Sequence, residues 1–125
     1  MPISICQEST PPAPRPLLLQ NDEWAAPPLW RSEFRNILAT YLRRNDLTFS
    51  QVLAIQREAE ALLGPHEYLI DSSAVLELVR ISPCSAYDCE FVALAHMLDA
   101  PLFTMDGKLL HAFPECAREL PRPQP

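Results

Sequence analysis

A chain of 125 residues, 48% of them hydrophobic, is long enough for one ordinary core and too short for two. Its formal net charge of -6 and pI of about 4.9 exclude a globally basic footprint, so contact with a polyanion would have to be local or carried by a cation. No secretory apolar segment and no run of ~18 apolar residues is present, and the four cysteines (Cys6, Cys84, Cys89 and Cys116) form no CxxC pair. Export, a membrane span and a disulfide scaffold are therefore disfavoured, and the expected setting is a reducing cytoplasm.

The prolines crowd at the two ends: Pro11, Pro12, Pro14 and Pro16 at one, Pro121, Pro123 and Pro125 at the other. Such runs prefer extended, unpaired backbone. Residues 1–16 are accordingly read as a disordered Pro-rich leader, 17–118 as the folded domain and 119–125 as a disordered tail. Ile3, Ile5 and Cys6 alternate loosely, enough for a few residues of strand at most beside Pro2. Residues 17–22 read as the last turns of a helix and residues 24–26 as a short strand stopped by Pro27 and Pro28, which suit the entry to the next helix.

Residues 29–44 form the clearest helical pattern, with Trp30, Phe34, Ile37, Leu38 and Tyr41 on one face and Arg43 and Arg44 at the negative C-terminal end. Glu33 falls with the apolar face, one turn from Trp30 and Ile37. A charge there costs several kcal/mol unless it is paired or bound to a cation. Arg35 or another basic group is the plain partner; a cation is the other. Thr48 to Gln51 is a capping box opening a second helix, whose Val52, Ile55, Ala59 and Leu62 are expected to face the core. Gly64-Pro65 ends it. Residues 66–70 read as another short strand, and Asp71 or Ser72 caps a helix through Ala74, Val75, Leu78 and Val79. His66, His96 and His111 are scattered, and Cys84, Cys89 and His96 match no common structural zinc spacing. They are read as surface or core-edge residues.

Residues 85–113 hold the candidate chemistry. Tyr87, Phe91, Leu94, Ala95 and Leu98 follow helical spacing, residues 100–105 form a brief apolar run suited to a buried strand, and a turn leads into another helix. Asp88 stands in the first helical turn and Asp106 at the carboxyl end of the strand, where open parallel sheets bind ligands. Each acid also has a plainer account. Ser85 followed three residues later by Asp88 is a helix-capping pattern, and Asp106-Gly107 is a turn or a cap for the last helix. Strands separated by helices argue for a parallel sheet covered on both faces.

The stretch resembles the C-terminal half of PIN domains, especially toxin ribonucleases of the VapC kind, in which a Tyr-Asp helix start and a Thr-x-Asp strand end each carry a metal-binding carboxylate. Here these are Tyr87-Asp88 and Thr104-Met105-Asp106. The likeness runs over residues 17–117, and LWRSEFRNIL resembles the family helix that brings in a further acid, with Glu33 in that place and Asn36 beside it. The resemblance implies a three-layer α/β/α sandwich with a short parallel sheet, and hydrolysis of RNA with Mg²⁺ or Mn²⁺ held by Glu33, Asp88 and Asp106. It also implies Thr104 as the residue orienting Asp106 or the attacking water, an antitoxin protein as partner, and a homodimer. Arg31, Arg35, Arg43, Arg44 and Lys108 are the basic residues available to phosphates.

Family members begin with an apolar strand that ends in Asp and lies mid-sheet. Residues 3–16 contain no such ending, so the central first strand and one carboxylate are expected to be missing or replaced, as in an N-terminally truncated or degenerate member. The alternative expectation is a catalytically silent remnant that binds an antitoxin or a homologous subunit.

Overall fold

A computed structural model of the chain describes residues 17–20 and 23–119. The elements run β1 (Leu17–Gln20), β2 (Glu23–Ala25), α1 (Leu29–Arg43), α2 (Phe49–Leu63), a 3-10 turn (Gly64–His66), α3 (Ser72–Arg80), α4 (Ala86–Leu98), β3 (Leu102–Thr104), α5 (Gly107–Ala112) and β4 (Ala117–Glu119). The fold is mixed α/β and dominated by helix. Among the described residues no helix is long and apolar enough to cross a membrane.

The strands form one four-stranded sheet in the order β2-β1-β3-β4. β1 pairs antiparallel with β2 (Leu18 opposite Ala25) and antiparallel with β3 (Leu18 opposite Leu102), while β3 and β4 run parallel (Leu102 opposite Ala117). This corrects the expected all-parallel sheet: only the β3–β4 pair is parallel. It also corrects residues 17–22, expected as the end of a helix. An apolar run of three leucines has no period to separate helix from strand, and pairing on both sides decides for strand. An interior place in the sheet is thus filled by a strand without an acidic residue. Residues 66–70, expected as a strand, contribute instead the end of the 3-10 turn and a single bridge. Ala26 N donates to His66 O at 3.2 Å and Tyr68 N donates to Ala26 O at 3.2 Å, with no further ladder. β4, where the sequence carries no strand signal, occupies Ala117–Glu119; the leader 1–16 and residues 120–125 lie outside the described residues.

α4 is the central helix. Its buried residues are Asp88, Cys89, Phe91, Val92, Ala93, Leu94 and Ala95, so it is covered on nearly all sides rather than along the single stripe expected, and Tyr87, placed on that stripe, is half exposed. α3 packs along it, and β1 and β3 lie against it. It starts where the Ser85 hydroxyl accepts the Asp88 N–H at 3.1 Å, and ends at Asp99, whose φ of 50° turns the chain out of the helix while its N–H bonds back to Ala95 O and His96 O. Leu102 and Leu18, both fully buried, join this core with Leu109 and Phe113.

The remaining helices follow their sequence signals. α1 enters through Pro27 and Pro28 and buries Trp30 and Leu38. α2 opens on the expected box, Thr48 accepting from Gln51 N while Gln51 accepts from Thr48 N. Val52 is buried, Ile55 half-buried and Ala59 packed against the core as expected, while at the C-terminal end Leu63 is buried in place of Leu62, which is exposed. Asp71 caps α3 by accepting the Ala74 N–H, and α3 buries Val75 and Leu78.

Candidate functional site

Asp88 and Asp106 stand on consecutive elements, and the charge of each acts on Cys84. Asp88 lies in the first turn of α4 and is only 4% exposed. Asp106 follows β3, half-buried; its N–H donates to the Thr104 hydroxyl at 3.0 Å and its Oδ1 accepts the Lys108 N–H at 2.9 Å. Cys84 lies close to the start of α5, its Sγ 3.9 Å from Lys108 O. Burial pushes the Cys84 thiol above its ordinary pKa, and the negative charges of both Asp88 and Asp106 push the same way, against Lys108. Both acids therefore lie within electrostatic reach of a single sulfur atom. Thr104 is completely buried, and its contact is to the Asp106 backbone.

The plainer account is realised for Asp106, which caps α5, and in part for Asp88: Ser85 caps α4 by accepting the Asp88 backbone N–H, a bond that does not use the Asp88 carboxylate. Asp106 spends Oδ1 on Lys108 N and retains Oδ2 as a second acceptor, so capping and ion binding are compatible there.

Glu33 is 7% exposed on α1, as its place on the apolar face implied. Arg35, the expected partner, is occupied elsewhere: its Nε donates to Arg31 O at 3.1 Å and its Nη2 to Ser32 Oγ at 3.4 Å. Glu33 and Asp88 each take part in a hydrogen-bond or electrostatic interaction. Among the described residues, however, Glu33, Asp88 and Asp106 do not bring three carboxylates within 4.8 Å of one another. Oxygen donors suit Mg²⁺ or Mn²⁺, so Asp88 and Asp106 fit the chemistry of such an ion; Glu33 does not complete a closed set with them. The basic residues differ in availability. Arg31 is bound to Glu60 and Glu67, and Arg44 to Asp46 at 3.4 Å.

A second cluster lies at the opposite end of α4, where sequence had assigned only a core-edge histidine. His96, Glu115 and Cys116 place one ligand atom each within 4.8 Å of one another, and His96 Nε2 is 3.6 Å from Glu115 Oε1. They line a cavity of about 770 Å³ together with Asp99, Phe103 and Arg118. Burial is the main cause that pushes the Cys116 thiol up to about 11, assisted by the adjacent Glu115 charge. Cys84 and Cys89, the cysteines first considered with His96, lie instead around Ser82, whose hydroxyl is 3.9 Å from Cys89 Sγ. No family model, curated protein or solved structure matches the chain.

Proposed function

We propose that the chain is a divalent-metal-dependent endoribonuclease of the PIN/VapC toxin kind, acting in the cytoplasm, with its helices and sheet in the three-layer arrangement of that class and an antitoxin protein as its natural inhibitor. The observation that carries this reading is the placement of the two acids, Asp88 buried in the first turn of a helix and Asp106 just past the carboxyl end of a strand, both within electrostatic reach of Cys84. In this reading Asp88 and Asp106 would hold Mg²⁺ or Mn²⁺, with Glu33 drawn in as a third ligand. Such an ion polarises a phosphoryl oxygen and lowers the pKa of bound water.

The chain's own residues contribute position and shape. Thr104, locked in the core, fixes the backbone of Asp106 and through it the carboxylate. The Lys108 N–H holds Asp106 Oδ1, and the exposed Lys108 side chain, two residues along the chain, is a candidate phosphate contact. Arg43, exposed at the end of α1, is a further candidate contact. Arg31 is not free for that task.

The test is cleavage of a labelled RNA by the purified chain with Mn²⁺, beside Asp88→Asn and Asp106→Asn. Loss of at least ~100-fold in rate in each variant is expected, since each removes an ion ligand. Equal background in all three proteins would refute the enzyme reading.

A second reading, a catalytically silent form that binds an antitoxin or a second copy, draws on different observations. β1 carries no acid at the sheet's interior, and the three acids do not close within 4.8 Å. Leu69, 86% exposed, and Leu76, 60% exposed, border a cavity of about 430 Å³ between α1, α3 and α4. Light scattering of the isolated chain separates the two outcomes for a homodimer, and the cleavage assay separates active from silent.

A further inference from the structure

We propose that His96, Glu115 and Cys116 form a metal site for Zn²⁺ or a similar borderline transition ion, with three protein ligands and a fourth position open to the cavity. Nothing in the ribonuclease reading requires it. Asp88 and His96 lie eight residues apart on α4, which at 1.5 Å per residue separates the two sites by ~12 Å along the helix.

Three features converge. The first is ligand type: an imidazole nitrogen, a carboxylate oxygen and a thiol sulfur make a mixed set that selects zinc-like ions over Mg²⁺, whose preference is for oxygen alone. The second is geometry. The three ligand atoms lie within 4.8 Å of one another, a spacing from which bonds of roughly 2.0–2.3 Å to a common centre can be reached by small rotamer changes. The donors come from two elements fixed by the fold. His96 is in the last turn of α4, while Glu115 and Cys116 lie in the tight turn after α5, where Cys116 N bonds to Phe113 O at 3.2 Å. The Phe113 ring stands edge-on to His96 with centroids 6.5 Å apart, restricting the imidazole. The third is the cavity itself. Its volume of about 770 Å³ leaves space above the cluster for water or a small ligand, and Asp99 on its wall offers another oxygen.

The charge balance is favourable. A dication meeting a neutral imidazole, a carboxylate and a thiolate gives a neutral centre; the S–H bond of Cys116 breaks, the sulfur-metal bond forms, and the proton leaves to solvent. The negative end of the α4 dipole also favours positive charge beside His96.

The experiment is a Co²⁺ titration of the reduced full chain followed by absorption. Expected is a thiolate-to-cobalt charge-transfer band that saturates at one equivalent with Mg²⁺ in excess, and that Zn²⁺ abolishes and Mg²⁺ does not. Cys116→Ser should remove the band. His96→Ala and Glu115→Gln, both at exposed side chains and therefore harmless to folding, should weaken binding by ~10-fold or more, and circular dichroism checks that each is folded. Asp88→Asn should leave the thiolate-to-cobalt band unchanged. Absence of the band in the parent chain, its survival in Cys116→Ser, or an unaltered affinity in His96→Ala would overturn the proposal.

Discussion

Arg31 and Glu67 are joined in a two-pronged ion pair, Nε 2.6 Å from Oε2 and Nη2 3.2 Å from Oε1. The indole Nε1 of Trp30 donates to the same Oε2 at 2.6 Å, so one carboxylate ties the start of α1 to the segment following α2. The Arg31 bond holds the Glu67 carboxyl below the usual glutamate range, the Trp30 bond helping against partial burial. A lowered folded pKa gives stability that is complete above the ordinary value of 4.5, declines as pH falls towards the folded pKa and is absent below it. Glu67→Gln should flatten that part of the stability-pH curve. Glu67→Ala should cost more than Glu67→Gln at neutral pH, by about 1–3 kcal/mol, because the buried Trp30 N–H loses its acceptor. Urea melts across the acid range measure both.

The capping box of α2 gives a cleaner test of local energetics. Thr48→Ala should destabilise by ~1 kcal/mol, and Thr48→Ser, which retains the hydroxyl, by little. Thr48 is exposed, so packing does not confound the comparison, which denaturant midpoints can resolve.

Leu102 is fully buried where β3 meets both β1 and β4. Leu102→Ala should cost about 2–5 kcal/mol, a large part of the stability of a domain this size. The expected readout is a much lower urea midpoint with an unchanged slope.

Asp106 separates capping from ion binding. In metal-free protein, Asp106→Asn keeps an acceptor for Lys108 N and should leave the melting temperature close to that of the parent, while Asp106→Ala loses the cap and ~1 kcal/mol. If Mn²⁺ binds there, it should raise the melting temperature of the parent and of neither variant. Differential scanning fluorimetry with and without Mn²⁺ checks the pattern.

The local parts of the fold are legible in the sequence because their causes are local. Thr48 with Gln51, Asp71 with Ala74, and Ser85 with Asp88 each act over three residues, and each helix begins where its cap stands. What could not be read depends on distant partners. The direction of β1 is set by β3, from the other end of the domain. Leu62 and Leu63 are adjacent and equally apolar, and only the neighbours of α2 decide that Leu63 is the buried one. The resemblance implies Asp88 and Asp106 as ion ligands, whereas the fold shows only that both charges act on Cys84. The meeting of His96 with Glu115 and Cys116 has no sequence signal, since no short motif links a helix end to a turn some twenty positions later.

The placing of β1 has a consequence for how the molecule is assembled and how it fails. Its ladder with β2 joins sequence neighbours and can form at once, whereas its ladder with β3 must bring position 18 to position 102, after nearly the whole domain has been gathered. That seam is correspondingly the natural place to part. A hairpin released there would bare the N–H and C=O groups along β3, a template that the same hairpin from another molecule can fill, so strand exchange at high concentration is the characteristic hazard of this architecture.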